Sequence, residues 1–220
     1  MTMNDEDISV AAPEEWMGGW NRHYRDLLEK DTEELLDFVP AHPITRLRHA
    51  LKIEDINPKE IDALDLACGD GKAACAIAKW GINVTAMDAL DSALRLAKKR
   101  AKVADVLERI RFLKGDIDSW PIPSDTYDVI VAVQILQYLF ERAIPRLEEI
   151  KQAVKPGRFL VYSGNIEPHF ETDPEIRFIK ERELKDSLED WKIHSFGKEV
   201  VLVREEDRRG YIWIVAQKPF

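Results

Sequence analysis

Cysteine is scarce: two in 220 residues. Cys68 and Cys75 have no third cysteine and no histidine cluster near them in sequence, which excludes a disulfide framework and argues against a zinc site. Both read as reduced packing thiols, and no metal is expected. Long apolar runs are missing too. None approaches the roughly 18 residues that a membrane span requires, so no membrane partner is expected. Basic residues are the minority, with 32 Lys and Arg against 41 Asp and Glu and a net charge of -9. A phosphate backbone is held by clustered lysines and arginines, so nucleic acid is not an expected partner. The opening MTMNDEDISV is acidic and lacks the apolar stretch of a secretory signal, which leaves a cytoplasmic location as the expectation. There is no internal repeat, no low-complexity tract and no linker that would split the chain.

What is present suits one α/β domain with a full core. The first sixty residues read as helical and irregular. Trp16, Trp20 and Tyr24 recur at a spacing of four and share one helix face. Asp31 and Glu34 form a capping-box-like start to "DTEELLDFV", and Pro43 and Pro58 bound the helical stretch "ITRLRHALKIEDI". From Ile61 the texture changes. Strand "IDALDLA" leads through a glycine turn into helix "KAACAIAKW". Strand "INVTAMD", helix "SALRLAKKRAKV", strand "IRFLKG", strand "YDVIVAV" and helix "RAIPRLEEIKQAV" follow. "KPG" is expected to end that helix with a turn before strand "RFLVYSG". Strands alternating with helices of this length call for right-handed βαβ units and a parallel sheet. Helix "KERELKDSLED" and strands "WKIHSFG" and "GYIWIVAQK" complete the chain, with "REEDRRG" as a hairpin loop.

The chemistry gathers at strand ends. Gly69, Gly71 and Ala74 fit G-x-G-x-x-G/A, so a dinucleotide must be weighed. Glycine lets a backbone approach a ligand closely, and ligands of such sheets sit beyond the carboxyl ends of the strands. Three acids decide the matter. Asp65 precedes the turn within its strand, Asp88 ends the next strand, and Asp116 closes the third in "LKGD". With no base nearby, they would repel a pyrophosphate and attract the ammonium and sulfonium of S-adenosylmethionine. Asp88 stands where a ribose-binding acid belongs. Asp88→Ala is therefore expected to weaken cofactor binding without unfolding the protein. Asp116 is placed to accept from an adenine amino group.

"LDLACGDGKAACAIAKWGINVTAMD", "FLKGDIDSWPIPSDTYDVIVAVQILQYL" and "VKPGRFLVYSG" resemble the successive motifs of the class I S-adenosylmethionine-dependent methyltransferases, over Leu64 to Gly164. Ala67 stands where that family usually has its first glycine. "WNRHY" is similar to the N-terminal aromatic motif that covers the cofactor in many relatives. "FIKERELKDSLEDWKIHSF" and "YLFERAIPRLEEIKQAVKPG" are similar to segments of the tellurite-resistance (TehB-type) members. Val203-Arg204 stands where those enzymes carry His-Arg. The resemblance implies a Rossmann-like fold: a mostly parallel seven-stranded sheet with an antiparallel last strand and helices on both faces. It also implies a layout of residues 1–60 as a helical lid, 61–164 as the cofactor core and 165–220 as the substrate side.

Carried residue by residue, the resemblance gives a cofactor set. It comprises Trp20, Tyr24, Asp65, Ala67, Cys68, Gly69, Asp70, Gly71, Asp88, Ala89, Asp116, Ile117, Val133 and Gln134. For catalysis, the segments that meet above the sheet's carboxyl edge offer Tyr138 after the fourth strand and His169 in the loop after the fifth, and Arg204 could attract an anionic substrate. Gln134 and Gln137 follow the fourth strand, where helix-surface polarity is the plain alternative; His194 is expected to pack or face solvent. "AVQIL" occupies the place where base-amino methyltransferases carry their N/D/S-P-P-Y/F tetrapeptide. The expected activity is methyl transfer to a small molecule such as a chalcogen oxyanion, a thiol or a metabolite hydroxyl, by a monomer or homodimer. A nicotinamide-dependent oxidoreductase and a catalytically inactive binding module are the alternatives.

Overall fold

The computed structural model describes residues 14–30, 32–36, 40–165, 179–204 and 207–220. Three helices come first: α1 (Glu14–Leu28), α2 (Thr32–Leu36) and α3 (His42–Ile53). The alternating part follows: β1 (Asp62–Leu66), α4 (Lys72–Ala78), β2 (Asn83–Asp88), α5 (Asp91–Val103), β3 (Ile110–Lys114), β4 (Tyr127–Val133), α6 (Ala143–Ala153) and β5 (Val154–Asn165). The chain closes with α7 (Glu181–Ser187), β6 (Lys192–Arg204) and β7 (Asp207–Gln217). Asp31 of the expected capping box and the Trp16 side chain lie outside the described residues.

One seven-stranded sheet has the order β3-β2-β1-β4-β5-β7-β6. β1 through β5 pair in parallel, and β7 runs antiparallel to both β5 and β6. The strand order reverses between β1 and β4, and in such sheets a crevice opens beyond the carboxyl ends at that point.

Period-two alternation divides the core into two layers. On β1, Ala63 faces the layer built with α3, α4 and α5, while Leu64 and Leu66 face the layer built with α6 and α7. On β5, Phe159 and Val161 join the first layer and Leu160 and Tyr162 the second. Both faces are covered, which is why these strands read as nearly continuous apolar runs. Each fully buried Leu or Ile contributes about 1.5–3 kcal/mol over leaving it in water.

Three sequence expectations change here. α3 is not part of a cover: Ile44, Leu47, Ala50 and Leu51 are buried in the first core layer, and Pro43 sits inside its first turn. "KPG" lies within β5 rather than ahead of it. Val154 already pairs with Tyr127, and the chain then bulges before Phe159 pairs with Val129. Pro156 has no N–H to give the ladder, and the Gly157 N–H bonds the Lys218 carbonyl instead. "REEDRRG" is mostly strand, because β6 and β7 stay paired out to Arg204 and Asp207.

Candidate active site

The crevice at the switch point is a cavity of about 500 Å³. β1 delivers Asp65 into it. Asp65 shares its pleat with Ala63, so its carboxylate enters the layer beneath α4 and is only 3% exposed. The Ala74 N–H donates to this carboxylate, while Oδ2 has no hydrogen-bond partner among the described residues. Burial pushes its pKa up to about 7, with the Asp88 and Asp70 charges adding to the effect.

The turn after β1 is wound by three positive φ angles, at Ala67 (51°), Gly69 (52°) and Gly71 (78°). Ala67 pays for the absence of glycine with strain on the order of 1 kcal/mol. The two glycines do different work. A Cβ on Gly69 would stand 2.7 Å from the Tyr24 hydroxyl, so the backbone is bare where α1 leans onto the turn. A Cβ on Gly71 would stand 2.7 Å from the Cβ and 2.9 Å from the Cα of Ala97. Gly71 does not line the cavity; it lets α4 start against α5.

Asp88 at the end of β2 holds the turn. One oxygen accepts the Gly69 N–H at 2.9 Å and the other accepts the Leu90 N–H at 2.9 Å. Burial raises its pKa. Loss of this side chain strands two backbone donors, so Asp88→Ala costs stability as well as any ligand contact. Asp116 stands two residues past β3, is 6% exposed and accepts the Asp118 N–H at 2.9 Å.

Asp70 differs from the other three acids. Arg100 and Lys72 both reach its carboxylate at 3.0 Å. The expectation of no nearby base is therefore overturned, because Arg100 comes from α5, 30 residues away in sequence. Both cations are engaged with Asp70, and Lys72 lines the cavity beside it.

α1 covers one side with Met17, Trp20, His23 and Tyr24. Trp20 stacks on Tyr24 with centroids 5.8 Å apart, and His23 meets Trp20 edge-on at 5.7 Å. Burial, then Asp88 and Asp70, raise the Tyr24 pKa far above the usual phenol range, so it remains a neutral hydroxyl. The opposite wall follows β4. Val133, Gln134, Ile135, Tyr138 and Leu139 line it, and Gln134 adopts a φ of 58°. Gln134 donates to the Ser163 hydroxyl at 3.0 Å and accepts from Gln137 at 3.3 Å. Gln137 is 2% exposed, so this pair is an internal brace rather than helix-surface polarity. Ala67, Cys68, Gly69, Ala89 and Ile117 complete the predicted lining that the cavity brings together. Burial raises the Cys68 thiol well above its usual range and pushes Cys75 up to about 12; both are free thiols, not thiolates.

His169 and the Arg204 side chain lie outside the described residues. His194 is packed away from the cavity: its side chain is 4% exposed, with Nε2 2.9 Å from the Gln217 side-chain oxygen. Sequence reasoning missed His23 and Lys72. His23 was legible, since it follows Trp20 by three residues and shares its face. Among the described residues, no group of His, Cys, Asp and Glu is arranged to hold a metal, and no helix is long and apolar enough to cross a membrane.

Residues 63–157 match the family described as "Methyltransferase domain". The mitochondrial ubiquinone biosynthesis O-methyltransferase of Schizosaccharomyces pombe is 34% identical over 101 residues, covering 46% of this chain and 36% of that protein. The chain spans about half or less of the length of the curated relatives it matches. TehB from Haemophilus influenzae superposes with a TM-score of 0.67 at 20% identity, over 83% of this chain and 64% of that one. Magnesium protoporphyrin IX methyltransferase from Synechocystis PCC 6803, solved with bound SAH, superposes with a TM-score of 0.62 at 16% identity, over 80% and 81% of the two chains. At those identities the two structures speak for the fold alone, and the sequence match speaks for the family. Residues 63–157 of this chain thus match a methyltransferase domain, and the sheet around them has the fold of the S-adenosylmethionine-dependent methyltransferases.

Proposed function

We propose that the protein transfers a methyl group from S-adenosylmethionine to an uncharged small molecule, with a hydroxyl as the preferred acceptor. The observation that carries this reading is the partnerless oxygen of Asp65 in a cavity walled by carboxylates. A buried carboxylate oxygen that accepts no hydrogen bond is costly unless a cation meets it. The donor's ammonium supplies that cation. A diphosphate would face Asp65, Asp88 and Asp116 with Lys72 already committed to Asp70, which disfavours the nicotinamide alternative.

In this reading Asp65 and the bare backbone of Ala67, Cys68 and Gly69 hold the methionine part. Asp88 takes the ribose hydroxyls, and Ala89 flanks them. Asp116, Ile117 and Val133 enclose the adenine. Trp20 and Tyr24 cover the donor, and Gln134 closes the floor. When bound, the donor supplies an electrophilic methyl with a neutral thioether as leaving group. The protein's task is then alignment and exclusion of water, and alignment alone can supply roughly 7–11 kcal/mol of barrier.

Four acids against one engaged lysine make the cavity a poor host for an oxyanion, which lowers the standing of a chalcogen acceptor. Met17, Ile135 and Leu139 give the acceptor side an apolar wall. Tyr138 is the described hydroxyl there, suited to hydrogen-bond an acceptor oxygen, with His169 and Arg204 as the other candidates. The O-methyltransferase name of the curated relative supports a hydroxyl.

Calorimetry with S-adenosylhomocysteine and with NAD tests the donor, and turnover of labelled S-adenosylmethionine on hydroxyl, thiol and oxyanion panels tests the acceptor. Binding of the homocysteine product with methylation of a hydroxyl compound is expected. Heat from NAD alone ends the proposal, and product binding without turnover on any panel identifies an inactive binding module.

A further inference from the structure

Arg100 is 3% exposed, a guanidinium buried from the last turn of α5. Its guanidinium reaches two separate parts of the molecule. Nε donates to the Asp70 carbonyl at 2.8 Å and Nη2 to the Asp70 carboxylate at 3.0 Å. Nη1 donates to the Leu35 carbonyl in α2. One residue earlier, Lys99 donates to the Leu28 carbonyl at 2.8 Å and the Lys30 carbonyl at 2.9 Å, at the end of α1. α5 therefore anchors both helices of the segment that precedes the core. Of these two side chains, Arg100 also grips the glycine turn.

Stability alone is a weak reason for this arrangement. Burying a guanidinium carries a desolvation cost, and a well-packed apolar side chain of similar volume often does as well or better. What an apolar residue cannot do is fix two backbones to one rigid plane. The planar fork sets the position of Asp70 relative to Leu35. Asp70 lies between Gly69, on which Tyr24 rests, and Gly71, which packs on Ala97 of the same helix. Order in the turn and order in the covering segment thus share one side chain.

We propose that Arg100 is a positioning residue for the methyl donor: one buried guanidinium fastens the glycine turn to the covering helices, so that the two become ordered together. This rests on the donor reading given above and adds a coupling that reading does not contain.

Hydrogen exchange on the full chain tests it, with and without S-adenosylhomocysteine, in the wild type, Arg100→Met, Arg100→Lys and Lys99→Met. In ligand-free Arg100→Met, amides of 67–71 and of 32–36 should both exchange about tenfold faster, while β4 and β5 keep wild-type rates. The ligand should protect both segments in the wild type. In Arg100→Met its Kd should rise about tenfold, with donor KM raised and kcat at saturating donor within about twofold. Arg100→Lys should fall between, and Lys99→Met should loosen 14–30 but not 67–71. Uniform loosening of the whole domain, loosening of one segment without the other, or an unchanged Kd would overturn the proposal. If Arg100→Met does not fold, Arg100→Lys decides by the same two segments. A wild type that binds no S-adenosylhomocysteine sinks the donor reading, whereas the ligand-free comparison judges the coupling independently.

Discussion

Asp65 on β1 and Asp128 on the neighbouring β4 are almost equally buried, at 3% and 4% exposed. Their surroundings are opposite. Asp128, at the amino end of its strand, accepts the Asp62 N–H at 3.0 Å, the Lys155 ammonium at 2.9 Å and the Arg158 guanidinium at 3.0 Å. Asp65, at the carboxyl end, keeps one oxygen without a hydrogen-bond partner among the described residues and faces two further acids. The first arrangement joins β1, β4 and β5 at the closed end of the sheet. The second holds negative charge ready at the open end. A fold tolerates a destabilised buried acid where a ligand completes it, and strongly shifted acids mark candidate sites for that reason.

Removing each acid sharpens the contrast. Asp65→Asn should lower S-adenosylhomocysteine affinity by about 100-fold or more, roughly 2.7 kcal/mol, because the neutral amide cannot meet the ammonium. Calorimetry checks this, and affinity within tenfold of wild type would detach Asp65 from the donor. Asp128→Ala should do the reverse. Donor affinity stays within about twofold, while urea unfolding shows a loss of about 2 kcal/mol. That loss is below the 3–5 kcal/mol of fully buried pairs because Lys155 and Arg158 are about a third exposed.

pH separates the two acids further. Asp65 binds its proton up to about pH 7 in the folded state and only to about 3.8 in the unfolded chain. Donor binding requires the ionised form, so wild-type affinity should fall about tenfold from pH 8 to pH 6, and this dependence should vanish in Asp65→Asn. A flat wild-type profile would contradict the raised value. Stability carries the matching sign. The folded state holds the extra proton, so stability from this group is fully present below about pH 4 and is lost as pH rises through about 7. Asp65→Asn should therefore melt a few degrees above wild type at pH 8, with the gain shrinking toward pH 4. A variant less stable than wild type at pH 8 would show that the carboxylate is satisfied.

Much of this was legible in the chain. The order of β1 to β5 and their helices followed from apolar runs, glycine turns and helical periodicity. The positions of Asp65, Asp88 and Asp116 at the cavity followed from strand ends. What the chain hid has one origin. The packing of Gly71 on Ala97 joins residues 26 apart. The helix α3 carries an apolar stripe that serves a cover or a core equally well. Arg100 reads as one more charge on a surface helix until the fold brings Asp70 and Leu35 to it.

The sequence by itself determined the alternation of strands and helices, the glycine turn and the acids that tip the strands, because these depend on neighbours a few residues apart. Only the tertiary structure decided which acids are paired and which is left bare. That choice depends on cations and backbone donors from distant segments, and on how much water the packed layers exclude around each carboxylate.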